Sequence, residues 1–233
     1  MIELWDLLLI TISPSLIILL YFFSSDKFKE PKKLVLIVFI FGFLILWPAS
    51  FLNYYSSLIL PKTELGQILA VSFLGPAIWE EILKFSVLYF FIAKKKEFNE
   101  PMDGIVYGVV VSLGFATYEN IDYVFSEETI NLSYQTAVGR AFSAVPMHGL
   151  NGCIMGFYFG QFAFKNDIKF LAYSLFMPFL FHGAYNFVLS TDYSLLYIPI
   201  LIIMFVFAYK LHQNLKRFQL KKRSETEKKI STF

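Results

Sequence analysis

The sequence predicts an all-α protein, a polytopic transmembrane helix bundle of about seven spans with its N-terminus outside and its C-terminus in the cytoplasm. Three observations predict it. Of 233 residues, 57% are hydrophobic and only 16% are charged, where a soluble domain carries about 25% charged residues. The apolar residues fall in runs of about twenty or more, enough to cross roughly 30 Å of hydrocarbon at about 1.5 Å per residue. The basic residues gather in alternate loops.

The first span, about residues 4–23, has no basic leader and begins beside Glu3 and Asp6. It reads as a retained helix rather than a cleaved signal. Further spans are expected at about 34–56, 66–93, 102–125, 136–163, 170–190 and 193–211. The third and fifth are over-long, which predicts tilt or interfacial ends. Segments 24–33, 94–101, 164–169 and 210–233 hold seventeen of the twenty Lys and Arg residues. The opposite loops hold only Lys62, while Lys84 and Arg140 fall inside spans. Positive-inside bias then fixes the orientation, and an odd number of spans agrees with it.

Residues 1–211 thus form a single transmembrane helical domain with its site on spans three to six, and 212–233 a basic cytoplasmic tail. The tail reads as a topology anchor drawn to anionic lipid, with His212 interfacial. There is no soluble domain to bind nucleic acid. The lone Cys153 excludes an intramolecular disulfide and reads as a small packed side chain.

Charges inside spans cost about 2.5–3.5 kcal/mol each at a helix centre, so each needs a reason. Span three carries PAIWEEILKF, with Glu80 and Glu81 about 19 Å from the cytoplasmic surface. Adjacent helical residues point about 100° apart, so the two carboxylates have different roles. Lys84 is within reach of either and neutralises only one. Span four carries GFATYENIDYVF, where Glu119 and Asn120 lie in the outer half and Glu119 can meet Lys84 or Arg140. Span five carries His148, about 18 Å deep, just after Pro146, which should loosen the helix. Span six brings His182 to the same depth from the other face, with Asn186 placed at i+4 to set its tautomer. Each histidine alone reads as a helix–helix hydrogen bond, but three spans delivering acids or histidines to one depth point to a shared site. Gly104, Gly108, Gly114, Gly149, Gly152 and Gly156 occur at spacings that allow close helix packing around it.

Two Glu and two His in a low-dielectric cavity suit metal-free hydrolysis, with an ionised Glu taking a proton from water and a His or Asn assisting. The same residues can instead hold Zn²⁺ through His148, His182 and Glu80 or Glu81. No GxSxG motif supports serine chemistry.

The ordered set Glu80-Glu81-x-x-Lys84, Phe115-x-x-x-Glu119-Asn120, Arg140 with His148, and His182-x-x-x-Asn186 resembles the PrsW family of intramembrane proteases. That family is related to the CAAX prenyl-protease and Abi group. The DKFKEP loop is also similar to the family's first cytoplasmic loop, and the resemblance spans about residues 20–190. It implies proteolysis of membrane-protein substrates in a bacterial plasma membrane, the known family role being site-1 cleavage of an anti-sigma factor in a stress response. By motif, Glu80, Glu81 and His182 match its catalytic positions, and His148 and Glu119 match its other motifs. The family is described as both glutamic-type and metallo-type; the residues here favour the former without a cofactor and leave zinc as the alternative. Two other readings use the same residues. A proton-coupled transporter would show ion flux without peptidase activity. A non-catalytic scaffold for another membrane protein would lose stability or partner capture, not turnover, when Glu80 or His182 is changed.

Overall fold

The computed structural model describes residues 3–59, 61 and 63–231, with side chains through Lys221; Lys62 and the tail's remaining side chains lie outside the described set. The described residues are mostly helical, joined by short loops, with no strand among them. The helices are α1 (Leu4–Ser25), α2 (Lys32–Leu44), α3 (Leu46–Ser57), α4 (Glu64–Leu69), α5 (Ile78–Phe90), α6 (Pro101–Phe125), α7 (Ile130–Phe142), α8 (Ala144–Lys165), α9 (Ile168–Leu189) and α10 (Tyr197–Ser231).

Among the described residues, four stretches are long and apolar enough to cross a membrane: α1, the α2–α3 pair, α6, and Ser194–Lys221. Burial ranks them. In α6, 83% of the apolar window is enclosed, against 22% in α1 and 11% in the last stretch. So α6 is the axis, and the outer helices turn Leu9, Ile17, Leu20, Ile202 and Phe205 outward. In water such a surface would aggregate; against lipid it carries no cost.

Glycine lets α6 and α8 touch. Gly104 packs on the backbone of Gly156 and Gly160, and Gly108 on that of Gly152 and Gly156. Gly114 does the same against Phe39 on α2, whereas Gly149 meets side chains of Ile18 and Leu113. Pro101 opens α6 at a position that needs no N–H donor, and Glu100 and Asp103 form a reciprocal cap with the backbone there.

Three expected spans are interrupted. Span two breaks at Ile45, between α2 and α3, and Pro48 lies in the first turn of α3, where its missing N–H is not needed. Span three is a short α4, then a π-helical stretch Ala70–Ala77, then α5. At its kink Gly75 leaves helical geometry (φ −93°, ψ −111°) just ahead of Pro76, because a residue before proline is driven out of the helical region. Span five breaks at Ser143 (φ −127°, ψ −79°), which separates Arg140 on α7 from His148 on α8. Pro146 was expected to loosen the helix at its own position. It sits in the first turn of α8 instead, where its missing N–H is not needed, and the chain breaks before it.

The last helix continues past residue 211 to Ser231. His212 is consequently not an interfacial residue of a loose tail. It is buried, its Nε2 is 2.8 Å from Ser25 Oγ, and it packs on Tyr21 and Phe22. Cys153 is buried as expected.

Candidate active site

The Gly75–Pro76 break starts α5 so that Glu80 and Glu81 fall in its first turn, the end whose dipole favours carboxylates. The two side chains diverge, as neighbours on a helix must. Glu81 is sealed in: its Oε1 accepts from Lys84 Nζ at 2.8 Å and lies 2.9 Å from His182 Nδ1. Glu80 instead lines a cavity of about 680 Å³ together with Glu119, Arg140, His148, His182 and Asn186. Its Oε2 is buried and has no hydrogen-bond partner among the described residues.

Lys84 is wholly buried and serves three neighbours. Besides Glu81, it stands 3.7 Å from Glu80 and 3.1 Å from His148 Nδ1, with its ammonium 4.3 Å from the centre of the Phe115 ring. On the other side of that imidazole, His148 Nε2 is 3.0 Å from Glu119 Oε2, which also accepts from Arg140 at 2.5 Å. Arg140 Nε donates to Asn120 Oδ1 at 2.8 Å, and Asn120 donates to the Thr11 carbonyl at 2.7 Å, tying α7 and α6 to α1. A continuous polar chain therefore runs His182–Glu81–Lys84–His148–Glu119–Arg140–Asn120. It joins α9, α5, α8, α6 and α7, which is what the common depth of these residues implied.

Hydrogen-bond chemistry sets the tautomers. A carboxylate accepts only, so the nitrogen facing Glu81 carries the His182 proton, and Nε2 keeps its lone pair. That lone pair lies 3.9 Å from the orphaned Glu80 Oε2. Two acceptors facing each other in a buried space call for a proton, a water or a cation between them. Likewise His148 gives its Nε2 proton to Glu119 and turns the Nδ1 lone pair to Lys84.

Glu80, His148 and His182 each offer a ligand atom within 4.8 Å of the others, and one carboxylate with two imidazoles is a known catalytic zinc set. The unpartnered Glu80 oxygen and the Glu81 carboxylate behind His182 fit such an ion. Ligation by His148 Nδ1 competes with Lys84 for the same lone pair.

One expectation is corrected. Asn186 does not set the His182 tautomer; Glu81 holds that ring, and Asn186 lines the cavity instead. One residue went unnoticed in the sequence. Asn151, buried on α8 one turn after His148, donates at 3.2 Å to the carbonyl of Pro178, one turn before His182 on α9. An Asn three residues from a span histidine was the available signal. Asn151→Ala is expected to lower stability by about 0.5–1.5 kcal/mol through the lost interhelical hydrogen bond, read as a drop in Tm. Gly183, next to His182, leaves room for the Phe73 ring of the π-helical stretch, which a Cβ there would meet, so that stretch packs close beside this histidine.

A match to the family described as PrsW family intramembrane metalloprotease covers residues 30–210. The chain belongs to the PrsW family. Proteins named Protease PrsW from Geobacillus kaustophilus and Bacillus subtilis are 40% and 37% identical to it over 181 and 206 residues. The first alignment covers 76% of this chain and 77% of the relative, the second 85% and 90%. A Protease PrsW from Clostridioides difficile is 32% identical over 86% of this chain and 85% of its own length. No solved structure matches. This PrsW-family chain is an integral membrane protein and a peptidase, its substrate a membrane protein reached within the bilayer. A plasma-membrane location is consistent with these bacterial relatives.

Proposed function

We propose that the chain is an endopeptidase that hydrolyses a peptide bond of a membrane-protein substrate in the Glu80–His148–His182 cavity. The single observation that carries this is the pairing of an unpartnered buried carboxylate oxygen with a basic imidazole nitrogen 3.9 Å away in a cavity large enough for a chain segment. Glu80 holds the attacking water and accepts its proton. Glu81 acts through His182, fixing the ring so that the Nε2 lone pair faces Glu80 and can take over the proton that Glu80 received from the water and deliver it to the leaving amine. Lys84 neutralises Glu81, and the Arg140–Glu119 pair holds His148. Asn186, with no ring to orient, is free to donate its amide N–H to the developing oxyanion.

A zinc ion would be held by Glu80, His148 and His182, and when bound would supply Lewis-acid polarisation and a more acidic water. The cavity is also lined by Asp122, Tyr123 and Glu127 near the α6–α7 turn, which gives water a route to the site. The charge distribution of the loops supports that end facing outside and the C-terminus facing the cytoplasm, as site-1 cleavage of an anti-sigma factor would use.

Cleavage of a transmembrane reporter by the purified chain in liposomes tests this reading. Asn186→Ala is expected to lower kcat by about 10²-fold with Tm unchanged. Treatment with a chelator separates the two chemistries: loss of cleavage restored by Zn²⁺ assigns the metallo-type, and undiminished cleavage in a preparation free of zinc by elemental analysis assigns the glutamic-type. No cleavage of any membrane reporter by the folded chain would overturn the proposal.

A further inference from the structure

A second cluster of buried acids lies at the other end of α6. Asp26 and Glu30 come from the α1–α2 loop and Asp103 from the first turn of α6, and all three are buried, Asp26 and Asp103 to 1% exposure. One carboxylate oxygen from each lies within 4.8 Å of the others. Asp103 is sixteen residues before Glu119 on one helix, about 24 Å, so this is not the cavity described above.

The oxygens divide into used and unused. Asp103 Oδ2 accepts the N–H groups of Asn99 at 2.7 Å and Glu100 at 2.8 Å. Asp26 Oδ1 accepts from Phe28 N at 3.1 Å and from Gln219 Nε2 of α10 at 2.7 Å. The Tyr107 hydroxyl donates to Glu30. Asp103 Oδ1 and Asp26 Oδ2 are left buried with no hydrogen-bond partner among the described residues. No described Lys, Arg or His forms an ion pair with any of the three. The loop's own Lys29 is spent on the carbonyls of Phe23, Ser24 and Asp26.

Three buried carboxylates, two of them with an unused oxygen and none with an ion-pair partner among the described residues, call for a cation, and oxygen-only donors select a hard one. We propose that Asp26, Glu30 and Asp103 bind a hard divalent cation, Mg²⁺ or Ca²⁺, that pins the first loop to the start of α6. Gln219 closes the site from α10, so the ion also fastens the last helix to the axis of the bundle.

Mn²⁺, a hard paramagnetic probe, tests this on the purified full chain stripped with EDTA. The test uses a His148→Ala/His182→Ala background so that the cavity cannot contribute. Electron paramagnetic resonance should count one Mn²⁺ per chain, displaced by Mg²⁺ or Ca²⁺ but not by Na⁺. Mg²⁺ should raise Tm by a few degrees in the same background. Asp103→Asn, which keeps an acceptor for the cap, and Glu30→Gln should each weaken Mn²⁺ binding at least tenfold and remove the Tm response. Absence of Mn²⁺ binding and of a Tm response at millimolar cation overturns the proposal, and so does binding undiminished in both carboxylate variants. Should both variants fail to fold, the background protein decides alone. A Tm gain from Asp103→Asn with no cation response would mean that the acids share protons, which is also a contrary result.

Discussion

Glu80→Gln is expected to lower turnover by about 10³-fold or more while the protein inserts and unfolds as the wild type does. General-base catalysis contributes about 10²–10⁴-fold, and an amide cannot take the proton. Glu80 is held only by a 3.7 Å ion pair with Lys84, whose nearer carboxylate is Glu81 at 2.8 Å, so neutralising Glu80 leaves the packing largely intact. The adjacent Glu81 makes the contrast. It is bonded to both Lys84 and His182, so Glu81→Gln leaves the Lys84 ammonium without its closest counter-charge in the bundle interior. Breaking a buried pair from one side costs about 3–5 kcal/mol, so this variant should lose both activity and thermal stability. Equal Tm losses from the two variants would contradict the assignment of roles.

Gly108→Val is expected to disrupt the bundle itself. A Cβ at this position runs into the Gly152 carbonyl and the Gly156 backbone, neither of which can rotate away as a side chain could. Over-packing costs about 1–3 kcal/mol where neighbours can shift, and a backbone-to-backbone contact lies at or beyond the upper end. The consequence reaches the site because α6 carries Glu119 and Asn120 while α8 carries His148. Separating the two helices lengthens the 3.0 Å His148–Glu119 contact. Gly139→Ala on α7 is the matched control, since a Cβ there meets nothing within 4 Å. It should leave Tm unchanged or slightly raised, as alanine is the better helix former. Thermal unfolding in one detergent reads both.

Much of this was legible in one sequence because membrane insertion makes polar residues costly. Glu80, Glu81, His148 and His182 stood out at one depth, and they meet in space; Lys84 was within reach of Glu81 by helical spacing alone. The small-residue spacing of Gly104, Gly108, Gly152 and Gly156 likewise announced a close helix pair. Contacts between helices were less readable. Asn186 sits at the right spacing for His182, but helix rotation gives that ring to Glu81, and rotation depends on packing rather than on local pattern. The break at Gly75–Pro76 was not read from the sequence, because the surrounding apolar run has the length of one over-long helix. The DKFKEP loop, which holds Asp26 and Glu30, stood out only by resemblance, because nothing in linear sequence says that it meets Asp103 and α10 in space.

Hydrolysis by water held at Glu80 is most directly tested by single-turnover cleavage of a transmembrane reporter in H₂¹⁸O, with mass analysis of the products. The wild-type chain should place ¹⁸O in the new carboxyl terminus, and Glu80→Gln, folded to the same Tm, should give no product on that timescale. Cleavage at the wild-type rate by Glu80→Gln would contradict the account.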